Sequence, residues 1–455
     1  MSRKPLVFNA FAHVTPNHHS HGFWRHPDGR QQLGYKHLQP WVDLAKTLER
    51  GKFDALFLAD VAGVYGSFRG GLETSIRTAM QFPSQDPASL VSALGLVTEH
   101  LGFAVTSSVL QEPPFQFARK LSTLDHLTEG RVAWNIVTSY LDNTARNFGL
   151  EALPDHDERY RWADEYVDVV FKLWEASWED DARVADPVSG VFADPAKVHK
   201  INHHGPRYSV EGPHLVEPSP QRTPVLFQAG GSEAGRAFAA RNAELTFVMP
   251  RSLAGAAKEV QALRARVKEQ GRAADEFKII SSFAPVIGAT EEEALRKQAE
   301  LKEWLSIEAL QAFWSASIGV DLSTIDPSRS LHELKNTNYV RGAVRSFIES
   351  APEGVVTFGD LLKETISGRF AGTPEQIADE LQRYADLGID GFNIVPVTTL
   401  GWWTDFVDQV VPVLQKRGLM QSQYRDGTLR EKLFSKGATL PDSHPARQWR
   451  GRLGG

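Results

Sequence analysis

The sequence predicts an α/β protein, a (β/α)8 TIM barrel carrying insertions. Three observations predict it. Eight short apolar runs rich in β-branched and aromatic residues alternate with longer stretches of helical period along the whole chain. That alternation is the pattern of βα units around a parallel sheet, with no segregated block of strands or of helices. The 455 residues also exceed a minimal barrel of roughly 250, so the surplus has to be inserted between the units.

Taken in order, the strands are read at residues 6–11, 55–59, 102–106, 132–137, 224–228, 245–249, 279–287 and 391–396. Helical period follows at 38–50, 86–100, 114–127, 157–174, 233–241, 253–270, 291–305 and 374–387. A last helix over 403–417 stops at Gly418, where a residue free to turn left-handed ends the run. Residues 1–418 thus read as one barrel. Its insertions lie near 63–83, 175–223 and 306–373, the third being the natural lid. Residues 419–455 are polar with an excess of Lys and Arg; lacking a core of their own, they are expected to pack on the barrel or on a partner subunit.

Composition narrows the functional class. The chain is 42% hydrophobic and 23% charged with a net charge of −6, and it has no long Lys/Arg run, which argues against a nucleic-acid partner. No apolar stretch reaches the ~18 residues of a membrane span, and the N-terminus lacks the apolar core of an export signal. Cysteine is absent, which removes disulfides, thiolate zinc sites and thiol nucleophiles and suits a reducing cytoplasm. From composition the expectation is a soluble protein of the cytoplasm, and no more.

In such a barrel, chemistry sits at the C-terminal ends of the strands. Those ends lead to His13, Asp60, Thr106, Asn135 with Thr138, Ser139 and Tyr140, and Gln228 with Ala229, Gly230, Gly231 and Ser232. Most are neutral hydrogen-bonding groups, suited to an uncharged planar ligand. The turn from Ala229 to Ser232 follows a strand and opens a helix, so its N–H groups, the positive helix end and the Ser232 hydroxyl suit a phosphate. Read alone it fits a plain βα turn as well. His156 and Tyr160, four apart at a helix start, offer a second contact for an anion or a sugar-like chain; a surface His beside a half-buried Tyr is the bland equivalent. No G-x-G-x-x-G follows the first strand and no G-x-x-x-x-G-K-[ST] is present. The cluster His18, His19, His21 and His26 raises a metal-dependent barrel hydrolase. Later strand ends offer Thr138, Gln228, Met249 and Asn393, poor ligands, so no metal is expected.

Several stretches together carry a family likeness. They include Gly22-Phe-Trp-Arg-His-Pro27, Leu48 to Asp60, Gly130-Arg-Val-Ala-Trp-Asn-Ile-Val-Thr-Ser139, His156-Asp-Glu-Arg-Tyr160, Phe192 to His199, Glu217 to Pro224 and Gly388-Ile-Asp-Gly-Phe-Asn393. The chain resembles the bacterial-luciferase-like, reduced-flavin-dependent monooxygenases. The likeness is to the nitrilotriacetate and dibenzothiophene sulfone monooxygenase branch, nearest its long-chain alkane and dimethylsulfide members. It implies a luciferase-like barrel that takes reduced FMN from a separate NAD(P)H:flavin reductase, and assembly as a homodimer or homotetramer. With O2 as co-substrate, a flavin peroxide would oxygenate a small apolar or organosulfur substrate. Position by position, it implies flavin contacts from Asp60, Thr106, Asn135, Ser139, Tyr140, Tyr160 and Ala229, Gly230, Gly231 and Ser232. Ser232, Tyr160 and His156 would take the phosphate end. His18, Tyr65, Gln81 and Tyr140 become the candidate catalytic residues. Three positions depart from the alkane members: Thr15 replaces a Cys, Tyr140 replaces a His, and the stretch around Phe313 lacks a His. A non-catalytic flavin-binding relative stays open beside the hydrolase.

Overall fold

The computed structural model describes residues 4–16, 19–250, 252–335, 342–349, 351, 354–364, 370–398 and 400–452. Eight parallel strands close into a barrel: β1 (Val7–His13), β2 (Ala55–Ala59), β3 (Gly102–Ser108), β4 (Val132–Val137), β5 (Val225–Gln228), β6 (Leu245–Val248), β7 (Lys278–Phe283) and β8 (Gly391–Ile394), in sequence order with β8 returning to β1. Their helices surround them: α1 (Leu38–Arg50), α2 (Ala88–Leu96), α3 (Pro114–Leu127), α4 (His156–Phe171), α5 (Glu233–Asn242), α6 (Leu253–Glu269), α7 (Glu291–Glu303), α8 (Ile307–Ile318) and α9 (Pro374–Asp386). α8 belongs to the third insertion.

Period-two alternation decides which side chains enter the barrel. Val7, Phe57, Ala104, Ala133, Phe227, Leu245 and Ile280 point inward and form a core distinct from the belt between strands and helices. The floor of that core is closed by the C-terminal segment. Leu429, Leu433 and Phe434 of α10 (Leu429–Phe434) join the interior cluster, and the Leu429 N–H donates to the Gly130 carbonyl at 2.8 Å. Arg430 beside them is 1% exposed and grips Glu244 with two bonds of 2.7 and 2.9 Å. This arrangement plugs the N-terminal end of the barrel and leaves the C-terminal end free for chemistry.

Two predicted elements differ. The strand read over 279–287 is two: Lys278–Phe283 stays in the barrel, while Pro285–Ile287 leaves it and pairs with Phe370–Gly372 in a separate two-stranded sheet. Pro285 has no N–H for the barrel ladder, so the break falls there. The helix read over 86–100 spans only Ala88–Leu96. The Glu49 carboxylate takes the N–H groups of Glu99, His100 and Leu101 at 2.9, 2.6 and 3.0 Å, giving the backbone partners outside a helix.

Candidate active site

At the C-terminal end of the barrel lies a cavity of about 370 Å³. Its walls include Asp60, Ser139, Tyr140, His156, Tyr160, Ala229, Gly230, Gly231 and Ser232, nine of the positions singled out from sequence. They come from β2, β4, α4 and the turn into α5, segments that only barrel closure brings together.

One end is built for an anion. Ser232 caps α5: its oxygen accepts the Gly235 N–H at 3.1 Å, which leaves its own O–H to donate into the cavity. The positive ends of α5 and α4 both face this region, where Tyr160 stands beside Gly230 and His156 packs its ring 5.1 Å from that of Tyr160. Sequence reasoning passed over Arg159, although it shares the first turn of α4 with His156 and Tyr160. It lines the same cavity, is 9% exposed, and donates to the Ser139 carbonyl; its Nε has no partner among the described residues. Desolvation pulls its pKa down, so a bound anion would relieve a cation short of partners. Ser139 is held at φ 60°, an uncommon conformation for a residue with a side chain, and its hydroxyl donates to Ser108 at 2.8 Å.

The polar wall continues through Asp60. Burial raises its carboxyl to about 6, opposed by a bond from Gln111 Nε2 at 3.2 Å. Gln111 was not predicted; like Asp60 it lines both this cavity and a second of about 410 Å³. Thr106 and Asn135 are placed one layer away. Thr106 lines the second cavity and accepts from Asn135 Nδ2 at 3.0 Å, while Asn135 is buried and its Oδ1 has no partner among the described residues.

Beside the cavity runs a chain of hydroxyls. Tyr65 donates to Gln81 Oε1 at 2.7 Å and is bonded to the Tyr140 hydroxyl, which is left to act as donor in that pair. Loss of hydration pushes Tyr140 up to about 12 and Tyr65 well above its ordinary value, so both phenols stay protonated at neutral pH. Three of the four candidate catalytic residues are thereby joined. The fourth, His18, lies outside the described residues.

A run of aromatic rings leads from the barrel interior to α8. Phe11 stacks on Phe57 at 5.8 Å, Phe57 meets Phe247 edge-on at 4.9 Å, and His19 lies 5.2 Å from Phe11 and 6.0 Å from Phe313 of α8. Burial holds the His19 pKa at about 4, so it is a neutral ring in this wall. Phe313 also lies 5.7 Å from Tyr65. Among the described residues no group of three or more His, Asp or Glu is placed to hold a metal ion, and no helix is long and apolar enough to cross a membrane.

The residues fit a flavin mononucleotide. A Cβ on Gly231 would meet nothing within 4 Å, an open approach beside the Ser232 hydroxyl and the unsatisfied Arg159 nitrogen. Away from that end the lining is mostly neutral, with Ser108, Val137, Thr138, Leu141 and Thr144 beside Tyr140.

Known proteins resemble the chain over nearly its whole length. The family model described as luciferase-like monooxygenase matches residues 11–391. The long-chain alkane monooxygenase of Geobacillus thermodenitrificans is 43% identical, with 98% of each chain covered. The dimethyl-sulfide monooxygenase of Hyphomicrobium sulfonivorans is 44% identical, covering 98% of this chain and 94% of that one. A riboflavin lyase crystallised with modified FMN and its substrate riboflavin superposes with a TM-score of 0.88 at 37% identity, covering 99% of this chain and all of the other.

Proposed function

Since the chain belongs to the luciferase-like monooxygenase family and is itself a monooxygenase, we propose that it is the oxygenase of a two-component system, using reduced FMN and O2 on a small apolar or organosulfur compound. The observation that carries this reading is the convergence of nine separately read positions on one cavity with a single anion-binding end. Reduced FMN would supply the electrons that split O2 between product and water. Ser232, Tyr160, Arg159 and His156 would hold its phosphate; Asp60, Ser139 and Tyr140 would meet its polar portion.

The remaining residues do the protein's share. Tyr140 keeps its proton at neutral pH and donates it to Tyr65, which donates to Gln81, so the chain would fix the Tyr140 oxygen at the cavity wall as a hydrogen-bond acceptor. Phe11, Phe247, His19 and Phe313 belong to a run of rings rather than charges between the barrel interior and α8, which would favour an apolar substrate and exclude water. A lone anion-binding end and the missing dinucleotide fingerprint support the reading that a separate NAD(P)H:flavin reductase supplies the cofactor.

The test is a screen of alkanes, thioethers and sulfones with a generic flavin reductase under isotopically labelled O2. The reading expects one labelled oxygen in the product, dependent on reduced FMN. Unlabelled product, or flavin binding with no turnover of any compound in the screen, would contradict it.

A further inference from the structure

The first and third insertions meet over the barrel mouth, and one acid joins them. Glu308, in the first turn of α8, accepts from Arg69 at 3.0 Å through one carboxylate oxygen and from Arg77 through the other; the Thr74 hydroxyl adds a bond of 3.3 Å. All three donors stand in the first insertion. Beneath this contact lies a small apolar cluster in which Ala312, Phe313 and Ala316 of α8 pack on Tyr65, Phe68 and Met80. The Tyr65 in that cluster is the same residue whose hydroxyl bonds Tyr140 at the cavity wall.

The two layers of this contact do different work. The apolar cluster supplies attraction without direction. The ion pairs are partly exposed, with Arg69 and Arg77 side chains 63% and 62% accessible, so each adds little to stability. What they add is register. Glu308 is the only acid in α8, and a slide of one helical turn would set Trp304 or Ala312 against two guanidinium groups with no anion between them. Asp321, just beyond the helix, fixes the same loop by accepting the Arg69 N–H at 3.2 Å.

We propose that Glu308 is a positioning residue for the active site: by clamping Arg69 and Arg77 it seats α8 so that Phe313 and Ala312 press on Tyr65, which sets the hydroxyl chain and closes the mouth. Its functional consequence rests on the flavin reading above, whereas the contact itself does not. Glu308 would touch neither flavin nor substrate, so FMN affinity is unchanged by its substitution while closure is lost.

The experiment compares the full-length protein with Glu308→Gln and Glu308→Asp. Backbone hydrogen exchange over 307–318 and 63–83 should rise about tenfold in Glu308→Gln, with Glu308→Asp nearer the parent and exchange in the barrel strands unmoved. The parent should show the same local rise between about 50 mM and about 500 mM salt, because the pairs are screened. With reduced FMN bound, Glu308→Gln should release H2O2 about threefold faster, and Glu308→Asp should restore the slower rate. Unchanged exchange in Glu308→Gln would overturn the clamp. Raised exchange with unchanged H2O2 release would overturn the positioning role. Failure of the parent to bind FMN would overturn the cofactor reading instead, leaving the exchange measurement to decide the clamp.

Discussion

A Cβ built on Gly230 would stand 2.9 Å from the Tyr160 hydroxyl and 2.4 Å from Gln228 Nε2. The turn therefore approaches α4 as closely as a backbone can, and any side chain at 230 must push Tyr160 or Gln228 aside. Gly230→Ala is expected to weaken FMN binding by about tenfold, the cost of displacing one well-placed polar contact. Gly231→Ala, which meets nothing within 4 Å, should leave the thermal midpoint of the flavin-free protein unchanged. Fluorescence titration and thermal melts of the two variants check the pair.

The Tyr140–Tyr65–Gln81 chain predicts an asymmetry. Removing Tyr140's hydroxyl leaves Tyr65 still donating to Gln81, whereas removing Tyr65's hydroxyl costs both bonds of the chain. Tyr65→Phe should therefore destabilise the fold by about 0.5–1.5 kcal/mol more than Tyr140→Phe does. Denaturant titration of both variants reads this; equal losses would mean that the chain is not continuous.

Much of this site was legible because its signals are local. The turn from Ala229 to Ser232 and the pair His156 and Tyr160 each declare a helix start, and β-strand periodicity places Asp60 and Ser139 at strand ends. What was missed depends on contacts far apart in sequence. Gln111 matters through Asp60, 51 residues away, and Arg159 through the carbonyl of Ser139, 20 residues away. The seating of Leu433 and Phe434 in the barrel floor had no signature beyond their apolar character, since a short helix in a polar tail reads as surface until the barrel is closed. Pro285, by contrast, carried its message openly, and the strand break there follows from its missing N–H.

Asp60 gives a pH prediction. Its carboxyl is raised by burial from 3.8 to about 6, so the folded protein keeps this proton over a range where the unfolded chain has released it. The raised value means that Asp60's contribution to stability falls as pH climbs from 3.8 to about 6, and the cost of the buried charge is complete above that. Asp60→Asn removes the cost. The variant's thermal midpoint should match the parent near pH ~4, exceed it increasingly through pH ~6, and hold a constant lead beyond.

At the other end of the barrel, Arg430 relies on Glu244 for its charge balance while buried to 1% exposure. Glu244→Ala should cost about 3–5 kcal/mol by leaving that cation unpaired. The double variant Glu244→Ala with Arg430→Met should recover much of the loss, which a double-mutant cycle in denaturant measures. FMN affinity should survive in whatever fraction stays folded, because the floor lies opposite the cavity.

The central claim, that the cavity between Asp60 and Ser232 holds the phosphate end of FMN, is tested most directly by equilibrium titration of the protein and its Ser232→Ala variant with FMN and with riboflavin. FMN should bind the parent at least about tenfold more tightly than riboflavin, as expected for charge-assisted hydrogen bonds to a single anion. Ser232→Ala should erase most of that advantage while riboflavin affinity stays within about twofold. Equal affinity of the parent for the two flavins, or an equal loss for both in the variant, would contradict the account.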